Sequence, residues 1–519
     1  MWAYPEIRFI GDTLAYHGRH TPEKLALVYE GKRTNFGEFD RLTNRFARML
    51  RSSGVQVGDR ILYFGKNSFD FFLAMYGTAK AGACFVPLNW RLASIELAAI
   101  ILNADGRLAI VERDSEATWN EICSAAEICP ETLFIDQKSS LAEWCAAQSH
   151  DPLKLHIRED DPVIILYTSG TTGIPKGVIH THASFNHSRL SENFERAFEW
   201  REGDVFLNPL PNFHLLHIAL SLQCLYNGVA ISIQRVFDPG TLLKGVLSER
   251  PSLLILTPTM IQLMLDHPAA VGTDFSSVRL TMYAGSPIAL GLIKRAMSMM
   301  PGQFMQFYGH TETSGAVSLL RPDEHRLDDE QKLKSCGRPL PLIQMKIAGT
   351  DGAEAPIGQP GELLVSAPAA TAGYWHQAEL TESKFKNGWY HTGDIAYRDA
   401  EGLFYIFDRA NDMIITGGEN VYSTEVENAL SLHPAVASVA VIGVPDERWG
   451  EAIKAIVVLR EGRECCGDEI LAFCRTRLAG YKVPKTIDFI AQMPITGTGK
   501  ISKKTLRDPY WKGLQRSVA

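Results

Sequence analysis

Along roughly the first four hundred residues, short apolar runs alternate with stretches whose apolar positions recur every three or four residues. Around residues 60–89 the order is RILYFG, then FDFFLAMYGTAKAG, then CFVPLN. Strand, helix and strand at that spacing form a βαβ unit, and such units build largely parallel sheets. The apolar runs Gly228 to Ile233, Leu253 to Leu256 and Leu280 to Tyr283 continue the pattern. After about Asp408 the texture changes. A T-x-x-E capping pattern opens a helix over Thr424 to Leu432. The strand-like VASVAVIGV and IKAIVVL follow, then a helix near Asp468 to Leu478 and a last strand at Ile487 to Ile490. These make an α+β unit of about a hundred residues, the size of a separate small domain. The polar segment DRAND, Asp408 to Asp412, lies between two apolar strand candidates and marks the boundary. The predicted fold class is therefore α/β: a large N-terminal domain of βαβ-built sheets, followed by a smaller α+β domain. No internal repeat or low-complexity tract interrupts it.

Composition narrows the class without naming it. At 519 residues the chain is long for one core, against roughly 100–200 residues per domain. With 45% hydrophobic and 21% charged residues it reads as a globular protein, neither disordered nor membrane-embedded. A net charge of -7 gives no reason to expect a nucleic-acid partner. The nine cysteines are scattered, with no CxxC or His-rich spacing for a disulfide framework or zinc site, so a reducing cytoplasm is expected. The opening MWAYPEIRFIGDTL has an acidic Glu6 and no basic region before a long apolar stretch, unlike a signal peptide. No apolar run approaches the ~20 residues of a membrane span.

The densest chemistry lies at Tyr167 to Gly177, YTSGTTGIPKG, where hydroxyls, glycines and a lysine follow the apolar run Val163 to Leu166. Such a loop can turn N–H groups, hydroxyls and an ammonium toward an anion. It is not a Walker A motif: Pro175 stands where glycine is required, and Lys176 is followed by Gly177 rather than Ser or Thr. No G-x-G-x-x-G is present there either. The run closely resembles the phosphate loop of the adenylate-forming enzymes: acyl-CoA synthetases, luciferases and the adenylation domains of peptide synthetases. Further motifs stand in that family's order: FYGHTET at Phe307 to Thr313, WYHTGD at Trp389 to Asp394, DRANDMIITGGENVYSTEVE at Asp408 to Glu427, and PITGTGKISK at Pro494 to Lys503.

The resemblance implies an acyl-CoA synthetase-like fold, with residues 1–408 binding AMP and acid, a hinge at 409–412, and a mobile C-terminal domain over 413–519. It also implies a reaction in two halves, adenylation of a carboxylate by ATP with Mg2+, then transfer of the acyl group to a thiol. Thr168, Ser169, Gly170, Thr171, Thr172, Gly173 and Lys176 would cradle the β- and γ-phosphates. Tyr308 would lie against the adenine face, Gln306 near its exocyclic amine and Thr311 near the α-phosphate. Glu312, with Thr171, would hold the Mg2+, a hard cation that suits carboxylate oxygen. His310 occupies a variable position and is expected to line a pocket. Gly285, Ser286 and Pro287 would form the turn beside the adenine, and Asp394 and Arg409 would meet the ribose. Lys500 would bridge the attacking carboxylate and the α-phosphate, reducing their repulsion. Asn411 stands where the family usually has Asp or Lys at the pivot. Rotation there would bring the TGGEN loop, with Gly418, to the pantetheine tunnel.

CoA is the expected acceptor. The chain reaches Ala519 without a carrier domain, VPDERWGE puts Trp449 where CoA ligases carry an aromatic near the nucleotide, and YKVPK offers Lys482 and Lys485 to CoA phosphates. The acid site is expected among Asn212, Phe213, His214, His217, Thr257 to Met260, Ala284, Gly285 and Tyr308 to His310. His214 is a candidate gate or acceptor of the thiol proton. No arginine or lysine there awaits a second carboxylate, which points to an apolar monocarboxylic acid. A medium- or long-chain fatty acid leads and an aryl or cinnamate-like acid is the runner-up. A carrier protein or amine as acceptor, and a catalytically silent binding protein, are the competing classes. Relatives of the family are often dimers, so the resemblance carries the expectation of a homodimer, with no interface legible in the chain.

Overall fold

The structure is a computed structural model and describes residues 4–168, 176–349, 352–409, 412–417, 419–446, 448–496 and 500–512. Among these residues the strands form four sheets. The largest runs in the order Arg338–Pro339, Gly315–Leu320, Gln303–His310, Leu280–Ala284, Leu253–Leu256, Val205–Asn208, Ala230–Ile233, Leu25–Tyr29, Lys32–Asn35. Its interior pairs are parallel and its edges antiparallel. Leu253–Leu256 is fully buried, which is why it reads as an unbroken apolar run rather than an alternating one. The second sheet, Glu131–Ile135, Gly106–Glu112, Arg60–Phe64, Cys84–Pro87, Pro162–Thr168, Lys176–Thr181, is parallel except for its last pair. Helices pack between and around these sheets. Phe69–Lys80, capped by the Ser68 hydroxyl, buries the run from Phe71 to Ala79 against Phe36–Ser52, which Asn35 caps in the same way.

A third, antiparallel sheet joins Gln344–Ala348, Gly361–Ser366, Phe385–Lys386, Trp389–Arg398 and Phe404–Arg409. The fourth belongs to the smaller C-terminal domain, where Val436–Asp446 and Gly450–Leu459 form a long hairpin flanked by Ile414–Thr416, Glu419–Val421 and Thr486–Phe489. This matches the predicted class. The strand ending at Arg409 and the one beginning at Ile414 lie in different sheets, and Ala410 and Asn411 between them lie outside the described residues.

One local expectation is corrected. The helix predicted from Thr424 spans Ser423–Ser431, with Tyr422 at its N-cap and no side-chain cap. Glu427 does not close a capping box. It accepts from the Val441 N–H at 2.7 Å and pairs with Lys503 at 2.9 Å, tying helix to hairpin and C-terminal segment. Among the described residues no helix is long and apolar enough to cross a membrane.

Candidate active site

The strands Leu253–Leu256, Leu280–Ala284 and Gln303–His310 run parallel, with Leu256 beside Tyr283 and Tyr283 beside Gln306. Their carboxyl ends open together at Thr257, Gly285 and His310, where ligand sites gather in open parallel sheets. Thr257 caps the following helix through the Met260 N–H. Gly285 has φ +94°, a conformation side-chain-bearing residues rarely hold. Ser286 is half-buried and Pro287 exposed beside it. A Cβ built on Gly285 lies 3.8 Å from Thr257 Cγ2 and 3.8 Å from Lys500 Cε. The lysine of the small domain thus reaches the turn of the large one. Its loop is pinched at the base, where Thr496 N–H donates to the Lys500 carbonyl at 2.6 Å and Lys500 N–H to Thr496 Oγ1 at 3.1 Å.

Beside that turn, Tyr308 and His310 converge on Asp394. The Tyr308 hydroxyl donates to Asp394 Oδ2 at 2.6 Å, and His310 Nε2 lies 2.8 Å from the same oxygen. His310 Nδ1 meets the Tyr390 hydroxyl at 3.1 Å. Burial, and then the Asp394 carboxylate, push the Tyr308 phenol well up, so it stays protonated and serves as a donor. Arg409 lies opposite Asp394 in strand register, although its side chain lies outside what is described. Gln306 is buried, with its Oε1 toward the Tyr283 hydroxyl, which also meets His325 Nε2 at 2.9 Å.

Next along the chain, Thr311 and Glu312 form a single turn over Thr311–Thr313. Tyr374 donates to Glu312 Oε1 at 2.8 Å, and the Thr371 N–H to the Glu312 carbonyl at 2.8 Å. Lys176 Nζ stands 6.0 Å from the centre of the Tyr374 ring. Burial, and then the Lys384 ammonium, lower the Lys176 pKa, while Glu312 opposes them. Lys384 also approaches the Gly393 turn, its Nζ 3.9 Å from a Cβ built there. Thr168 and Lys176 face each other in antiparallel register. The intervening Ser169, Gly170, Thr171, Thr172 and Gly173 lie outside the described residues.

The small domain carries a second cluster. Gly417, at φ +61°, lies under Trp449, and a Cβ there would meet the indole at 2.8 Å. Arg448 and Lys485 stand 4.8 Å and 5.8 Å from the Trp449 ring centre. Lys482 instead pairs with Glu425 at 2.8 Å. Gly418 lies outside the described residues.

The expected acid-site residues separate. His214 heads the helix Leu215–Tyr226, half-buried against Phe213. Asn212 and His217 turn into the protein: Asn212 donates to the Gly65 carbonyl at 3.1 Å, and His217, packed on Phe71 and Phe72, meets the Leu210 carbonyl at 2.8 Å. Tyr374 and Tyr390 were not singled out from sequence. Tyr390 was within reach, because it shares the period-2 face of Trp389–Arg398 with Asp394. Tyr374 carried no signal, since its partner Glu312 is distant in sequence.

Residues 14–375 match the family of AMP-binding enzymes, and residues 425–500 match the AMP-binding enzyme C-terminal domain. A fatty acid--[acyl-carrier-protein] ligase, ScoC, of Streptomyces coeruleorubidus is 34% identical over 99% of both chains. A feruloyl-CoA synthase of Amycolatopsis sp. is 36% identical over 96% of this chain and 98% of its own. The solved structure of a Mycobacterium tuberculosis fatty acyl CoA synthetase aligns with a TM-score of 0.77 at 33% identity, covering 99% of this chain and 100% of that one.

Proposed function

The chain belongs to the AMP-binding enzyme family, and from that premise we propose that it is an AMP-forming carboxylic acid-CoA ligase. One observation carries the reading above the others: Lys500 of the small domain lies against Gly285, at the carboxyl ends of the parallel strands where Tyr308 and Asp394 also stand. A substrate carboxylate oxygen attacks the α-phosphorus of ATP and the bond to pyrophosphate breaks. The thiol sulfur of CoA then attacks the acyl carbonyl, and AMP leaves. Both steps crowd negative charge, so fixed cations and donors account for most of the rate.

In the first step Lys500 lies between the carboxylate and the α-phosphate, and Lys176, with Lys384 nearby, faces the outer phosphates. Asp394 accepts from the ribose and Tyr308 covers the adenine. Among the described residues no group of three or more His, Cys, Asp or Glu forms a metal cage. Mg2+ is commonly held by one or two carboxylates plus phosphate oxygens and water, a role the Glu312 carboxylate suits. Glu312, oriented by Tyr374, would hold it together with Thr171, and the ion would neutralise phosphate charge. The segment 409–412 acts as the hinge that withdraws Lys500 after adenylation and brings the Gly417 and Trp449 face to the acyl-adenylate. The cations beside Trp449 suit a nucleotide ring and its phosphates.

The acid is a mainly apolar monocarboxylate, with medium- or long-chain fatty acids favoured. The feruloyl-CoA synthase relative supports an aryl acid as the alternative, and ScoC supports a carrier protein in place of CoA. Work in the cytoplasm is part of the proposal, from the scattered spacing of the cysteines along the sequence. The deciding experiment measures pyrophosphate release with ATP and Mg2+ across fatty, aryl and short-chain acids, with and without CoA, on the wild type and Lys500→Ala. Acyl-CoA from one acid class, dependent on Lys500, is expected. Acyl-AMP that accumulates while CoA goes unused would move the acceptor to a carrier or amine, and no pyrophosphate with any acid would sink the reading.

A further inference from the structure

His310 sits at the centre of a buried polar cluster whose geometry gives it more to do than form a wall. Its side chain is 10% exposed and that of Asp394 5%. The ring is held edge-on by Tyr308 at 5.4 Å and by Tyr390 at 5.6 Å, and Tyr390 is itself stacked on Phe385 at 5.0 Å. The imidazole therefore has little freedom to turn. Nε2 is directed at Asp394 Oδ2, 2.8 Å away, and Nδ1 at the Tyr390 hydroxyl, 3.1 Å away. Donation from Nε2–H to a carboxylate in so dry a place is a charge-assisted bond, stronger than its counterpart in water. Together with the Tyr308 hydroxyl on the same oxygen, it fixes both the position and the plane of the carboxylate. The contacts run on: Tyr390 interacts with Tyr374, and Tyr374 donates to Glu312.

We propose that His310 is a positioning residue of the nucleotide site: held by Tyr390, it orients the Asp394 carboxylate for the ribose hydroxyls. This rests on Asp394 being the ribose contact, as proposed above. It assigns His310 to nucleotide affinity, where the sequence suggested a pocket wall and hence an effect on the acid.

AMP is the probe that separates the two, because its binding needs no acid and no turnover. Calorimetry on the full chain is expected to give about tenfold weaker AMP binding for His310→Ala, the scale of one hydrogen bond to a charged group. His310→Gln, which keeps an N–H near the Nε2 position, should recover most of that loss. Tyr390→Phe removes only the hydroxyl behind the ring and should weaken AMP severalfold; it keeps the test open if His310→Ala does not fold. In turnover the KM for ATP should rise while the KM for the acid holds. Unchanged AMP affinity in His310→Ala and Tyr390→Phe, or a rise confined to the acid KM, would overturn the assignment. Absence of AMP binding by the wild type would instead overturn the ribose role of Asp394, and this assignment with it.

Discussion

Lys500 Cε lies 3.8 Å from the point a Cβ would occupy on Gly285, so a lysine 215 positions further along the chain meets the turn after the strand Leu280–Ala284. Under the proposed function, contact between the two domains at that point is the placement the first half-reaction would use. Lys500→Ala is therefore expected to cut pyrophosphate release by about 10²–10³, the scale for loss of a key electrostatic donor. Conversion of supplied acyl-AMP with CoA should be largely retained, and equal loss of both halves would argue against the assignment. Gly285→Ala tests the other partner. Its new methyl meets neighbours only at ordinary contact distance, so the cost comes from φ +94° and not from a clash. Backbone strain of about 1–3 kcal/mol should appear as reduced thermal stability and a weaker site.

Tyr374→Phe removes the hydroxyl that donates to Glu312 Oε1 at 2.8 Å and leaves the ring beside Lys176. Loss of one bond to a carboxylate, about 1.5–3 kcal/mol, should shift the Mg2+ concentration for half-maximal pyrophosphate release upward by about tenfold or more. A Mg2+ titration that overlays the wild type would refute a role for Tyr374 in orienting Glu312.

Gly417→Ala should strike the second half-reaction. The methyl would meet the Trp449 indole at 2.8 Å in a backbone conformation already strained for alanine, so the ring must shift from between Arg448 and Lys485. The KM for CoA is expected to rise while acid-dependent pyrophosphate release without CoA stays near the wild-type rate. Trp449→Ala should behave similarly, and a defect in adenylation alone would contradict this division.

Stability should fall toward both acid and alkaline pH for identifiable reasons. Burial lowers His180 to about 3, and His182, His217 and His325 to about 4, each from an ordinary 6.5. The unfolded chain takes up protons near pH 6.5 that the folded chain refuses, so stability is lost as pH falls from about 6.5 toward 4. Glu192 has the opposite sign. Burial raises it from 4.5 to about 8, against the opposing pull of Arg189, so its contribution is present below pH 4.5 and is lost as pH rises toward 8. The Tm of Glu192→Gln relative to the wild type should rise steadily between pH 5 and 8; a difference that does not change with pH would remove Glu192 as a contributor.

The course of the strands was legible because buried parallel strands leave continuous apolar runs, and Leu253–Leu256 is one of them. The motif residues were legible as types, but their partners were not. The meeting of Lys500 with Gly285 depends on a domain placement that no local pattern encodes. Tyr374 reaches Glu312 across 62 residues of sequence, and no period links the two. Asn212 and His217 looked like pocket residues beside Phe213, yet both satisfy backbone carbonyls, because a buried loop and helix start need those bonds. Thr424 misled for the same reason: T-x-x-E is a frequent coincidence, and Glu427 answers to Val441 instead.

The pairing of Thr168 with Lys176 has a consequence for how the enzyme lets go. The chain proposed to hold the outer phosphates runs on into the strand Lys176–Thr181, so Lys176 stands at the start of a strand and not of a helix. In the proposed reading, part of the attraction for the outer phosphates comes from the Lys176 side chain, whose charge is screened by salt where solvent reaches it. Under that reading, raised salt should loosen the hold on triphosphate and pyrophosphate alike. Departure of that first product, driven further by its hydrolysis in solution, would then act as the ratchet that commits the acid before the thiol arrives.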